Sequence, residues 1–188
     1  KGLRISKGKV IVFVNSGDVI TKNALKIVHK KFINSKTDFV FGTVRRHYLN
    51  DTILKYGFSI KKLYYNFDFA TSHSTGFFLK KEFYNLLGNF DTKYKCSADY
   101  DVYYKLFIKK KLIGSSTGKN QIIGIVSPGG FSSKYGFLNS LLEESKIRFN
   151  NGQNFLIVLI ILINNLIKKF LKITFNAYNA KEINQKNT

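Results

Sequence analysis

Short runs of β-branched and aromatic residues alternate with stretches of helical spacing along this chain, and that alternation constrains the fold more than any other feature. Residues 9–14, KVIVFV, are one such run. They end at Asn15-Ser16-Gly17-Asp18, four turn-forming residues, and read as a buried strand leaving a sheet. Beyond Thr21, an acceptable N-cap, Leu25, Val28 and Phe32 recur at helical spacing among Lys22, Lys26 and Lys30. Residues 38–48 read as a second strand, 73–79 as a third, and 121–126, QIIGIV, as a fourth that ends at Pro128-Gly129-Gly130. Residues 81–87 read as a short helix stopped by Gly88. Residues 98–111 read as a helix capped by Ser97, with Val102, Tyr103, Leu106 and Phe107 on its apolar face and Lys109-Lys110-Lys111 at its C-terminal end. Strands separated by helices predict an α/β domain with a mainly parallel sheet over residues 1–150, and a helical tail over 151–188.

Composition narrows the class. With 44% hydrophobic residues in 188, the chain has the material for a core and is not a disordered tail. A single cysteine, Cys96, excludes a disulfide framework and a cysteine-only metal cluster, and fits a reducing compartment. Thirty-one Lys and Arg against eleven Asp and Glu give a net charge of +20, which favours an anionic partner: nucleic acid, anionic lipid or a phosphorylated small molecule. Abundant Lys, Asn, Ile and Phe with one proline also fit the coding bias of an AT-rich genome. The lysines are scattered and form no nucleic-acid-binding motif, so a basic nucleic-acid-binding module stands second. No methionine is present and the chain opens at Lys1, which suggests a piece of a longer protein.

The tail differs from the rest. Residues 155–163, FLIVLIILI, are apolar all round; beyond Asn164, one helical stripe carries Asn165, Lys168, Lys169 and Lys172, opposite Leu166, Phe170 and Ile173. Thirteen residues from Phe155 to Ile167 reach about 20 Å as a helix, short of the roughly 30 Å hydrocarbon core of a bilayer. Such a helix does not span. It fits an anionic membrane surface, or a dock on the domain or on another part of the chain. A non-catalytic membrane-associated partner is therefore a further alternative.

Two sites could carry chemistry. In an open α/β sheet, ligands bind beyond the carboxyl ends of the strands, so Asp18 is a candidate ligand for a hard divalent cation, although the same four residues serve equally as a turn. Asp99 opens the helix after Ser97 on the face of Tyr103 and Leu106. It is a candidate general base, or else a residue that complements the helix dipole. Asp101 lies about 200° away around the helix and reads as structural. His73, between Ser72 and Ser74, is a hydrogen-bonded structural residue or a substrate contact. The glycine-rich stretch from Gly129 to Ser133 lacks the spacing of a phosphate loop.

The order KGLRISKGKVIVFVNSGD, then HSTGFFLKKEFYNLLGNFDTKYKCSADYDVYYKLFIKKK, then IVSPGGFSS resembles the second half of a family 2 glycosyltransferase with the GT-A (nucleotide-diphospho-sugar transferase) fold, over about residues 1–135. Within that family it is similar to bacterial transferases of capsule, colanic-acid and lipopolysaccharide sugars. N-S-G-D resembles the metal motif, G-N-F-D the family's G-x-F-D, and A-D-Y-D its E-D-x-D stretch. The resemblance implies Asp18, assisted by Asn15, as the ligand of Mg²⁺ or Mn²⁺ against the diphosphate of a nucleotide-sugar, and Asp99 as the base that takes the acceptor proton, with inversion at the sugar carbon. It implies substrate contacts from Asn15, Ser16, His73, Gly129, Gly130 and Ser132. The implied acceptor is a cell-surface glycan or lipid-linked sugar at the cytoplasmic face of the membrane. Two positions depart from the pattern: Gly17 stands where the metal motif is acidic, and Ala98 where Glu is common. The family's strands that grip base and ribose precede the matched region, which leaves the donor site incomplete in these residues.

Overall fold

The computed structural model describes residues 2–48, 51–66, 73–87 and 90–186. A short helix α1 (Gly2–Ile5) leads to strand β1 (Val10–Val12), the turn at Asn15 to Asp18, and a two-residue strand β2 (Val19–Ile20). Helix α2 (Ala24–Asn34), strands β3 (Phe39–Phe41), β4 (Thr43–His47) and β5 (Thr52–Lys55), and helix α3 (Ile60–Asn66) follow. A 3₁₀ turn at Ser74–Gly76 feeds β6 (Phe77–Lys80) and helix α4 (Lys81–Leu87). Helix α5 (Ala98–Tyr104) widens into a π turn at Lys105–Lys109; then come β7 (Gly114–Ser116), β8 (Ile122–Val126), and helices α6 (Phe131–Tyr135), α7 (Phe137–Asn150) and α8 (Phe155–Lys186). The expected stop at Gly88 lies outside the described residues.

The strands form two four-stranded sheets, in the orders β1-β6-β3-β7 and β2-β8-β4-β5. The expectation of a mainly parallel sheet is corrected: among the described residues only β3 with β7 and β4 with β8 run parallel, and the other four pairings are antiparallel. For one of the four, β4 with β5, the reason is local. Tyr48 N–H donates to the Asp51 carbonyl and turns β4 straight back into β5, a hairpin that needs no crossover helix.

The expected strand at 38–48 is two strands, each in its own sheet, parted by Gly42. A Cβ on Gly42 would come within 2.5 Å of the Ile123 side chain, so β8 can lie against this crossing only because the position has no side chain. Alternation then sorts the core. Phe39, Phe41, Phe77 and Leu79 face the layer of α5, where Tyr103 and Phe107 meet them, while Val40 and Phe78 face α2 through Ala24 and Val28. Both faces of this sheet are covered, which is why its central strands β6 and β3 are apolar at every position but the last of β6, Lys80.

One charged side chain ties the helical layer together. Arg148 of α7 is fully buried, donates to the carbonyls of Leu63 and Tyr64 at α3 and to Gln153 Oε1, and its guanidinium lies 5.8 and 5.9 Å from the ring centres of Tyr100 and Tyr104 on α5. Asp101, also buried, binds Lys105 and the amide of Asn151 just beyond α7.

Candidate functional site

A cleft of about 540 Å³ opens where the loop after β1 meets the N-terminal end of α5. From the sheet side it is lined by Asn15, Ser16, Arg46, His73 and Ser74; from the helical side by Cys96, Ser97, Asp99, Tyr100, Tyr103, Ser140 and Glu144; and by Gly130 and Phe131 at the start of α6. Asn15, Ser16, His73, Gly130 and Asp99, five of the residues singled out in the sequence, are thus brought to one cleft, with Asp99 across from Asn15, Ser16 and His73. Gly129 does not line it; its φ of +87° makes it the turn glycine that leads into α6. Ser132 falls within α6, and its side chain lies outside the described residues.

Asp18 sits behind the wall. Its side chain is 5% exposed, accepts the Thr75 hydroxyl proton at Oδ2 (2.5 Å) and the Ser127 N–H at Oδ1 (3.2 Å), and approaches His73 Nδ1 at 3.5 Å. The turn itself explains Gly17: Asp18 N–H closes on the Asn15 carbonyl, and Gly17 at φ +87° takes the third position, which a side chain would strain. Among the described residues no three His, Cys, Asp or Glu side chains converge. With both Asp18 oxygens engaged and no carboxylate at Gly17, the residues present do not fit a Mg²⁺ or Mn²⁺ site.

The two sides of the cleft differ in charge. His73 Nδ1 accepts the Thr75 N–H at 3.4 Å, which leaves the ring proton on Nε2. Burial holds its pKa below the usual value, outweighing the charge of Asp18, and Arg46 adds to the lowering. Arg46 supplies the positive charge on this side.

On the helical side, burial pushes the Asp99 carboxyl up to about 6, although the Tyr100 N–H donates to Oδ1 at 2.8 Å. Glu144 is pushed further, to about 8, first by burial and then by the charges of Asp99 and Glu143, against the pull of Arg148. Its neighbour Glu143 behaves oppositely. Burial alone would raise it, yet N–H groups of Lys95, Cys96 and Ser97, at 2.7 to 2.8 Å, hold it below the ordinary carboxylate range. Glu143 thereby fixes the loop that leads into α5 and Asp99, since the Ser97 side chain makes no capping bond of its own. The Cys96 thiol is raised by burial and is no ready nucleophile.

Sequence reasoning missed Arg46, Ser140, Glu143 and Glu144. The signal for the last was the spacing of Glu144 and Arg148, four residues apart on one face of α7.

No family model and no curated protein matches this chain. Solved structures do. The fold is similar to that of S. aureus TarS 1–349, a glycosyltransferase, in its complex with UDP-GlcNAc, with a TM-score of 0.58 at 13% identity over 87% of this chain and 49% of that one. The complex of the same protein with UDP gives 0.57, again at 13% identity, over 87% of this chain and 48% of that one. The chain therefore shares its fold with that protein and spans about half the length of the structures it matches.

Proposed function

We propose that this chain is part of a transferase that moves a sugar from a nucleotide-diphosphate donor to an acceptor hydroxyl, with Asp99 as the general base. One observation carries the reading: in a glycosyltransferase fold, Asp99 opens onto the same cleft as Asn15 and Ser16 at the end of β1. The structural neighbour is a complex with UDP-GlcNAc, which supports a nucleotide-sugar as donor. Arg46 and the Nε2–H of His73 offer a cation and a donor to the diphosphate on the sheet side. Asp99, ionised above about pH 6, accepts the proton of an acceptor hydroxyl on the helical side. Attack by that oxygen from the face opposite the leaving diphosphate inverts the sugar carbon. A cell-surface glycan or lipid-linked acceptor, at the cytoplasmic face of the membrane, fits the resemblance noted in the sequence. The metal expected there plays no part in this account, because Asp18 is already committed to Thr75 and Ser127.

Calorimetric titration of the whole transferase with UDP-GlcNAc tests donor binding. We expect equal affinity with Mn²⁺ and with a chelator, a loss of at least about tenfold in Arg46→Ala, and little change in Asp99→Asn. Transfer to a glycan acceptor should fall by about 10²-fold or more in Asp99→Asn, and in the unaltered protein its acid limb should turn near pH 6. No binding of the nucleotide-sugar, or full turnover in Asp99→Asn, would overturn the reading.

A further inference from the structure

Helix α8 is docked by one side only. Val158 and Ile161 are buried, Ile157 and Leu162 are half-buried, and contact is made with α7 and α3. On the outward side Leu156, Ile160, Ile163, Ile167, Phe170 and Leu171 are 47 to 66% exposed. At 100° per residue these six fall within an arc of about 100°, a continuous apolar stripe about 23 Å long. The stripe continues onto the domain, for the Phe155 ring lies 6.3 Å from that of Phe149, itself exposed on α7. The opposite face of α8 carries Lys168, Lys169 and Lys172, all exposed, with the Lys169 ammonium 5.4 Å from the centre of the Phe137 ring of α7, and no acidic residue occurs in the helix before Glu182.

We infer that α8 lies in the plane of an anionic lipid surface, its outward stripe sunk at the boundary of headgroups and acyl chains and its lysines among the headgroup phosphates. Charge decides the occupant. A second copy of this chain would bring the same three lysines and another +20 against the first, whereas anionic lipid complements them. Among the described residues no helix is long and apolar enough to cross a membrane. An in-plane helix needs neither length nor an all-round apolar surface; one apolar face and one basic face suffice. The lysine stems reach along the helix flank while their ammonium groups stay at the headgroups. This inference goes beyond the catalytic reading and does not depend on it.

Flotation of the full 188-residue chain with vesicles tests it, without any measurement of turnover. The chain should rise with vesicles of phosphatidylglycerol and phosphatidylcholine, and bind pure phosphatidylcholine at least about tenfold more weakly. Lys168→Gln, Lys169→Gln and Lys172→Gln combined should lose at least about tenfold, each lysine contributing up to about fivefold. Ile160→Glu with Ile167→Glu, both at exposed positions, should abolish flotation while the circular dichroism of the chain stays unchanged. Three results would overturn the inference: no flotation with the anionic vesicles, flotation that survives the isoleucine pair, or sedimentation showing a dimer that the same pair dissociates in a chain indifferent to vesicles.

Discussion

Glu143 and Glu144 are adjacent on α7, yet their environments drive them apart. One is a carboxylate held by three N–H groups; the other keeps its proton to about pH 8. The consequence for stability has a definite sign. An unfolded glutamate titrates near 4.5, so between about pH 4.5 and 8 the folded chain binds the extra proton, and stability falls as pH rises through that window. Asp99 adds a decline of the same sign between about pH 4 and 6, and His73, with its lowered value, an opposite trend below about 6.5. Thermal melts between about pH 7 and 8.5 therefore isolate Glu144. The unaltered chain should lose melting temperature over that interval, and Glu144→Gln should flatten the slope. Asp99 was legible in the sequence because a carboxylate just after a capping residue, on the apolar face of a helix, is a local pattern. Arg46 was not, since nothing in the run VRRHY tells which arginine faces a cleft built by residues far along the chain.

Whole elements were legible where the apolar pattern is long. The helix expected from Thr21 forms, but begins at Ala24, because the Thr21 hydroxyl donates to the Ile122 carbonyl across to β8 and does not cap it. The helix expected over 98–111 ends early in a wide turn, which leaves both Leu106 and Phe107 in the core. Short strands escaped: β2 has two residues, and β7, Gly-Ser-Ser, has no apolar residue to signal it. Glycine marks β7 for a reason visible only in three dimensions, since a Cβ at Gly114 would fall 1.9 Å from the Phe39 ring. Gly114→Ala should thus destabilise by about 1–3 kcal/mol, read as a lower urea midpoint with unchanged slope. Gly130→Ala, where a Cβ meets nothing within 4 Å, should be nearly neutral in the same assay.

At the scale of the whole molecule, the alternation of strand and helix pointed to the α/β class but not to the direction of the strands, which depends on connections that cross between two sheets. The polar ties between helices were equally invisible, because Arg148, Asn151 and Gln153 look like surface residues in a basic, polar stretch. Removing the first, as Arg148→Met, takes the buried donor from the Leu63 carbonyl and from Gln153 Oε1, leaves the Tyr64 carbonyl to Gln153 Nε2, and should cost about 3 kcal/mol or more, measured by chemical denaturation. The joint between α7 and α8 is where these ties gather: Gln153 is clasped by Arg148 and the Tyr64 carbonyl, and Asn151 by Asp101. The long C-terminal rod is thus bolted at its root, through Asn151 and Asp101, to the helix that bears Asp99, so rod and cleft wall stand on one common footing.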